Sequence, residues 1–435
     1  MKINQFTNHL KLGFFKNHPQ LALQSVGIYA FILSLLISFS RGVNLNFSQD
    51  SKDYISDAEN LANGFTWMFN NADQFTKPLG LPFQVLILKV LFGANWLIIF
   101  KFVSALLHAI TAVLVLKICF FIGVRRHLSL LCGLVFASDP LVVISTTDLT
   151  TETIATLTIT LWFYWALNKL SDEKITLCLK LTLVLFTVLC IATRPNYLFI
   201  ILSIVFFLIV KKNYKILKSP EIVSISALVG LFQIFVCFLY KGLILIAPGS
   251  GLGMYFFCRG NLNQQAIGLL NSERNTTLNN WVLDSLMKQS ELFFSQNPDL
   301  GFVAFNNFLT SSGLNYCLAN PAEGLVSIFL RGVGNWRPFV AFGAYGLSTF
   351  ILSMLILGTL LAGTIMFLIM LKSRTERMFM QIFLVASAAF TLSILVTPTQ
   401  IRHRIAFSES LMWICCFILI NRVLTKRQQR VSTHE

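Results

Sequence analysis

Long apolar runs alternate with short polar gaps over most of the 435-residue chain. Most runs approach or exceed the roughly 20 residues that an α-helix needs to cross a bilayer. Because lipid offers no partner to an open backbone group, these runs are expected to be helices. Pro82–Phe92 is apolar but short, which is typical of a re-entrant or interfacial helix. With the N-terminus inside, ten spans are predicted at roughly 21–40, 96–122, 128–147, 150–168, 175–193, 196–210, 222–246, 342–371, 378–396 and 405–421.

The composition excludes an ordinary soluble domain. Hydrophobic residues make up 55% of the chain and charged residues only 12%, and the mean hydropathy is +0.70. Soluble domains contain about 25% charged residues. The first apolar run, Leu21–Ser40, is longer than a signal-peptide core and is followed by no clear cleavage site, so it is expected to remain as an anchor. The predicted fold is an all-α, polytopic membrane protein.

The net charge of +15 is explained by orientation in the membrane. Many of the basic residues fall in gaps that the topology assigns to the cytoplasm, in agreement with the positive-inside rule. No nucleic-acid partner is therefore expected. The inner clusters are Lys2, Lys11 and Lys16; Arg125 and Arg126; Lys169 and Lys174; Lys211, Lys212, Lys215 and Lys218; Lys372, Arg374 and Arg377; and Arg422, Lys426, Arg427 and Arg430.

The same topology divides the chain into three parts. Residues 1–246 form an N-terminal membrane module whose first outer loop is 41–80. Residues 247–340 form an outer-face domain, and residues 341–435 supply the last spans and a basic cytoplasmic tail. Cys258 and Cys317 both fall in the outer domain. They could pair in an oxidising compartment, but their spacing leaves this open.

The first outer loop holds an unusual share of the acidic residues. Asn46–Gly64 contains four of the 19 acids of the chain, among them Asp50 and Asp53. Asp50 and Ser51 are predicted to start an amphipathic helix. An N-cap at Asp50, with Asp53 in the first turn, is the simplest interpretation of two of these acids, but it does not explain a cluster. The residues predicted to share one face of this helix are Tyr54, Ala58, Leu61 and Ala62.

A wider pattern surrounds this loop. Asp50–Gly64 reads D-S-x-x-Y-x-x-x-A-x-x-L-x-x-G and is followed by KPLGLP at Lys77–Pro82. This resembles the first outer loop of the GT-C superfamily of polyisoprenyl-phosphate-dependent glycosyltransferases, such as the protein O-mannosyltransferases and the aminoarabinose transferase. One proline of the family's turn is replaced here by Leu79. Further resemblances, in the family's order, are Asp139-Pro140, TTDLTTETIATL from Thr146, Thr193-Arg194-Pro195, and IRHRIAFSESL from Ile401. The 247–340 domain resembles no known pattern.

The resemblance implies an inverting transferase that moves a sugar from a polyprenyl-phosphate donor to a lipid, glycan or protein acceptor. It implies that Asp50 is the catalytic base, with Asp53 the second choice. Arginine suits the phosphate because its planar guanidinium can bind it in a bidentate manner. The alternative role for Arg194, Arg402 and Arg404 is snorkelling to the interface or, for the last two, pairing with Glu409. The expected substrate and phosphate contacts are Tyr54, Lys77, Arg194, Arg402, His403 and Arg404.

Asp148 and Glu152 form a candidate second acidic site. They are four positions apart at the outer end of the fourth span, so they are expected on one helix face. The usual role of such residues at the start of a helix, as an N-cap and as an acid in the first turn, accounts for them equally well. A Mg²⁺ or Mn²⁺ ion bridging Asp50, Asp148 and Glu152 would suit their hard oxygen ligands. Metal dependence is left open.

The alternative function is a secondary transporter or flippase for an anionic or lipid-linked substrate. Transporters usually place ionisable and helix-breaking residues near the bilayer midplane, often in repeated halves. This sequence keeps most of its acids in outer segments and has no evident repeat, which favours the transferase. The expected location is a bacterial inner membrane, with the active site on the periplasmic face.

Overall fold

The computed structural model describes residues 19–42, 49–63, 78–212, 214–239, 288, 291–297, 302–326, 336, 342–394 and 401–432. Every regular element in these ranges is a helix, which confirms the predicted all-α class. Two short 3₁₀ segments, Gly93–Asn95 and Tyr214–Lys218, connect longer helices. The α-helices are α1 (Pro19–Ser40), α2 (Gln49–Ala62), α3 (Gly80–Phe92), α4 (Trp96–Ile122), α5 (Arg126–Ala137), α6 (Pro140–Thr147), α7 (Glu152–Leu170), α8 (Leu177–Thr193), α9 (Tyr197–Lys212), α10 (Pro220–Leu239), α11 (Phe302–Ala319), α12 (Phe342–Ile369), α13 (Arg374–Ile394) and α14 (Ile401–Ser432).

The chain is a multi-pass membrane protein. Within the described ranges, five helical segments are long and apolar enough to cross a bilayer, and a sixth is added if the bent pair α5 and α6 counts as one span. Each predicted span coincides with a helix or with this pair, but the total of ten spans stays a prediction. The five segments are Gln20–Ser40, Gly80–Ile122, Pro220–Phe238, Ile351–Ile369 and Ala406–Gln429.

Helix α7 lies at the centre of the bundle and packs against α4, α8, α9, α13 and α14. Trp162, Phe163 and Trp165 are fully buried. A helix that is apolar on all sides is expected inside a protein. Several polar side chains of α7 are hydrogen-bonded within the helix or to its neighbours: Trp162 Nε1 donates to Thr187 Oγ1 at 2.9 Å, for example. The fourth predicted span is therefore surrounded by protein rather than by lipid.

The third predicted span, 128–147, is broken. Helices α5 and α6 meet at an angle of 48° just before Pro140, which has no N–H for a continuous helix. Asp139 caps α6 by accepting a hydrogen bond from the Leu141 N–H at 2.9 Å. Its second carboxylate oxygen accepts a hydrogen bond from Trp413 Nε1 at 2.8 Å. Asp139 therefore stabilises the proline break and ties it to α14.

Helices α13 and α14 are joined near the start of α13. The Glu376 carboxylate accepts hydrogen bonds from the Lys372 and Ser373 N–H groups, and Ser373 Oγ accepts one from the Glu376 N–H. This reciprocal pattern is a capping box. The same carboxylate also forms an ion pair with Arg422 of α14. Burial opposes ionisation of Glu376, but these hydrogen bonds outweigh it and hold its pKa below the usual value.

Little of the predicted 247–340 domain lies within the described residues. The longest helix in its described part is α11, whose Phe305 and Leu309 pack against Phe293. Cys317 at the end of α11 is disulfide-bonded. Cys258, the partner considered from the sequence, lies outside the described residues.

Candidate functional site

Helix α2 of the first outer loop packs on α3 and on the turn after α6. It begins at Gln49, one residue before the predicted start. Ala62 is exposed, because the helix ends at this residue. The apolar face is therefore narrower than predicted. The other three residues of the predicted face are buried. Two of them belong to one hydrophobic cluster with residues of α3, α4 and the turn after α6. That cluster comprises Tyr54, Ala58, Leu81, Val85, Phe100 and Leu149.

A buried hydrogen bond holds α2 on the turn between α6 and α7. Ser51 Oγ donates to the Leu149 carbonyl oxygen at 3.1 Å. Tyr54, one helical turn further on, is 8% exposed and packs in the cluster that contains Leu149. The D-S-x-x-Y pattern and the TTDLTTET turn, nearly a hundred residues apart, are therefore in direct contact.

Two cations lie near Asp148, the first acid of this turn: Arg41, which directly follows α1, and Lys101 of α4. Arg41 Nη1 lies 3.7 Å from an Asp148 carboxylate oxygen and also donates a hydrogen bond to Thr147 Oγ1. Lys101, which is 1% exposed, donates to the Gly42 carbonyl oxygen at 2.8 Å and to the Ser38 carbonyl oxygen at 3.3 Å. Its charge also interacts with Asp148. The end of α1 is thus tied to both α4 and the turn.

The second acid of the turn forms a buried ion pair. Arg194, at the end of α8, donates through Nη2 to Glu152 Oε1 and through Nε to Thr151 Oγ1. Both charged side chains are less than a tenth exposed. An acid at the start of α7 and a base at the end of α8 both complement the helix dipoles. The Arg194 guanidinium also lies 5.9 Å from the centre of the Tyr197 ring.

Gly80 of the KPLGLP sequence, the first residue of α3, lies at the same end of the bundle as the Arg194–Glu152 ion pair. A Cβ atom at this position would lie 2.5 Å from the Ala192 carbonyl carbon and 2.7 Å from the Thr193 nitrogen. Only glycine allows the two backbones to approach so closely. Helix α3 therefore begins directly against the end of α8, beside Arg194.

Helix α14 begins at this same end of the bundle. Thr160 of α7 and Ser410 of α14 are hydrogen-bonded at 2.9 Å. Glu152 lies eight positions before Thr160, and Arg402 lies eight positions before Ser410. Each separation corresponds to about 12 Å of helix. Arg125 Nη2 donates to Thr425 Oγ1 at the opposite end of the bundle, so α7 and α14 run in the same direction. The backbones of Arg402, His403 and Arg404 thus lie at the level of Glu152.

Asp148 and Glu152, which were expected on one face of a helix, do not share a helix in the structure. Asp148 has extended backbone angles, φ −98° and ψ 154°, and α7 begins only at Glu152. That expectation was wrong, because a four-residue spacing aligns side chains only within a continuous helix. Asp148 faces Arg41 and Glu152 faces Arg194.

The remaining predicted site residues are described only in part. Asp53 lies on α2 and is half-buried. Asp50 lies in the first turn of α2, but its side chain is outside the described part, as are the side chains of residues 402–404. Lys77 is wholly outside it. Among the described side chains, no group of three or more His, Cys, Asp or Glu residues could hold a metal ion. The proposed set with Asp50 is therefore not tested.

Lys101 and Thr151 were not predicted to belong to the site, and Ser51 was predicted only as part of the start of α2. A lysine inside a long apolar run is costly in lipid and is a functional candidate by default, so Lys101 could have been found. Ser51 and Thr151 carry no such signal, because serine and threonine are common at helix starts.

Known sequences do not identify the site. The chain matches no protein-family model and no curated protein.

Proposed function

We propose that this chain is a membrane glycosyltransferase of GT-C type, which moves a sugar from a polyprenyl-phosphate donor to an acceptor. One observation carries the proposal: motifs far apart in the sequence meet at one end of the helix bundle. The α2 helix contacts the turn at Leu149, and Gly80 contacts the end of α8 beside the Arg194–Glu152 ion pair. These are the segments in which the sequence resembles the transferases.

The chemistry follows from the types of residue gathered there. A carboxylate of α2, Asp50 first and Asp53 second, accepts the proton of the acceptor hydroxyl or amine as that atom attacks the anomeric carbon of the sugar. The bond between that carbon and the phosphate oxygen breaks, and polyprenyl phosphate leaves with both electrons. Attack opposite the leaving group inverts the anomeric configuration.

Arginines at the start of α14 are proposed to bind the departing phosphate. Arg402 and Arg404, with His403 between them, lie at the level of Glu152, and Lys77 precedes the Gly80 contact. Arg194 is already held by Glu152, so its part is to orient the turn and to share a hydrogen bond with a bound phosphate. Positive charge at this point stabilises the negative charge that develops on the leaving group.

The proposed location is the periplasmic face of a bacterial inner membrane. Cys317 is disulfide-bonded, which fits an oxidising compartment for the 247–340 segment. The acceptor arrives from that compartment or from the outer leaflet of the membrane.

Native mass spectrometry of the gently purified protein tests the proposal. We expect an adduct with the mass of a polyprenyl phosphate, with or without a sugar, either as isolated or after incubation with a panel of donors. The Arg402→Gln/Arg404→Gln variant should lose this adduct. The matched control, Lys426→Gln/Arg427→Gln, removes two exposed charges at the other end of α14 and should retain it.

Bulk phospholipid as the sole adduct, even with added donors, would favour the rival function of a transporter or flippase. Two observations speak for that rival: the α5–α6 break and the buried charge of Lys101. Broken helices and buried ions are common at transport sites. Movement of a labelled lipid-linked sugar across the bilayer of proteoliposomes, without transfer to any acceptor, would establish it.

A further inference from the structure

A recess lined by cations lies between α9 and α13, at the end of the bundle opposite the candidate site. Its volume is about 220 Å³, far above the roughly 10–15 Å³ that a single water requires. Helix α7 has 19 residues and runs from Glu152 to Leu170, so the two ends are about 28 Å apart. This is close to the thickness of the hydrocarbon core of a bilayer. The residues that line the recess are Leu170, Phe207, Lys211, Lys212, Arg374, Arg377, Met378 and Gln381.

The recess combines charge at its mouth with apolar side chains below. Leu170 and Phe207 are buried, whereas Lys211, Arg374 and Arg377 are exposed. The Lys211 Nζ lies 5.7 Å from the centre of the Phe207 ring, so the aliphatic part of this lysine covers apolar surface while its charge remains at the rim. Such a site suits a molecule with an anionic head and an apolar tail.

The nearby acids leave most of this positive charge in place. Lys212 forms an ion pair with Asp172 at 2.5 Å, but the Asp172 side chain is 81% exposed, and exposed pairs are weak. Glu376 is held by Arg422 and by the backbone of the capping box. Within the described ranges, Lys211, Arg374 and Arg377 form no ion pair, which leaves three cations around one cavity.

We propose that this recess binds a phosphate group, specifically the headgroup of an anionic phospholipid in the leaflet opposite the candidate site. Basic pockets between transmembrane helices at the cytoplasmic surface suit such headgroups. Arg374 and Arg377 can bind phosphate oxygens in a bidentate manner, and Lys211 adds a point charge. The acyl chains would continue over the adjoining apolar helix surfaces. This inference does not depend on glycosyl transfer.

The test compares two variants of the full-length protein that remove equal charge. The recess variant carries Lys211→Gln, Arg374→Gln and Arg377→Gln. The control variant carries Lys174→Gln, Lys426→Gln and Arg427→Gln, which are exposed and belong to the same end of the bundle. Phosphatidylglycerol and phosphatidylcholine with matched acyl chains are titrated in detergent, and binding is followed by native mass spectrometry and by the shift in Tm.

Wild type and the control variant should bind phosphatidylglycerol at least about tenfold more tightly than the recess variant. Phosphatidylcholine should bind all three proteins alike. An equal loss of affinity for phosphatidylglycerol in the two variants would overturn the proposal, because the recess cations would then contribute only general surface charge. The absence of any preference of wild type for phosphatidylglycerol would overturn it too. Inorganic phosphate distinguishes the source: an equal Tm shift with phosphate alone would show that the site takes free phosphate and would overturn the lipid assignment.

Discussion

The guanidinium of Arg194 donates a hydrogen bond to the carboxylate of Glu152 and joins the end of α8 to the start of α7. Both side chains are largely removed from solvent. A buried charge that loses its partner is far more costly than a buried pair that is replaced as a whole. The stability of the candidate site is therefore expected to depend on both residues together.

Removing one member of this pair should be strongly destabilising. We expect Arg194→Met to lower the free energy of unfolding by about 3–5 kcal/mol, since Glu152 would remain buried without its cation. The double variant Arg194→Met/Glu152→Gln should recover most of that loss. Thermal unfolding of the four proteins of the double-mutant cycle measures the coupling. Strictly additive effects would show that the ion pair is not a structural unit.

Asp50→Asn separates catalysis from binding. If Asp50 is the base, glycosyl transfer should fall by at least about 100-fold, whereas the donor adduct in native mass spectrometry should persist. Glu59→Gln is a matched control, because Glu59 lies on the same helix and forms an exposed ion pair with Lys89. Full transfer by Asp50→Asn would remove Asp50 from the mechanism, and a loss confined to Asp53→Asn would assign the base to that residue instead.

Gly80→Ala tests the close approach of α3 and α8. The new methyl group would meet backbone atoms of Ala192 and Thr193, which cannot rotate away as a flexible side chain could. We expect a destabilisation of about 1–3 kcal/mol, typical of overpacking, together with reduced activity. Gly230→Ala in α10 is the control, since a Cβ atom at that position would have no neighbour within 4 Å. That change should be neutral or stabilise the helix by about 0.5–1 kcal/mol. Similar thermal stability of Gly80→Ala and wild type would refute the close packing.

Glu376 should make stability depend on pH in the acidic range. Its pKa is lower in the folded protein, so its contribution is present above the unfolded value of about 4.5 and is lost as the pH falls through the folded value. The Tm of wild type should therefore fall more steeply below about pH 4.5 than that of Glu376→Gln. Arg422→Gln should raise the folded pKa toward its usual value and shift the loss to higher pH. Parallel Tm curves for wild type and Glu376→Gln would contradict this assignment.

Local sequence patterns were sufficient for much of the secondary structure. The apolar runs predicted helices that the structure contains. The hydropathy of a segment, and the need to pair its backbone groups within lipid, depend on that segment alone. The predicted face of Tyr54, Ala58, Leu61 and Ala62 is confirmed for the first three residues, which are buried on an amphipathic helix, but not for Ala62, which is exposed. The cap that Asp139 forms at the Pro140 break also involves adjacent residues, but the sequence had pointed to this pair through its resemblance to the transferases.

The tertiary structure alone decided which charges meet. No local pattern pairs Arg194 with Glu152 or Arg41 with Asp148, because these contacts join residues about 40 and 100 positions apart. The expected common face of Asp148 and Glu152 failed for the same reason: a turn, held by Ser51 and Arg41 from other parts of the chain, replaced the helix on which it depended. The apolar runs were enough to predict an all-helical membrane protein with polar helix ends, because burial of apolar surface and backbone pairing are local requirements. Only the packing of α2, α3, α7, α8 and α14 brings those ends together.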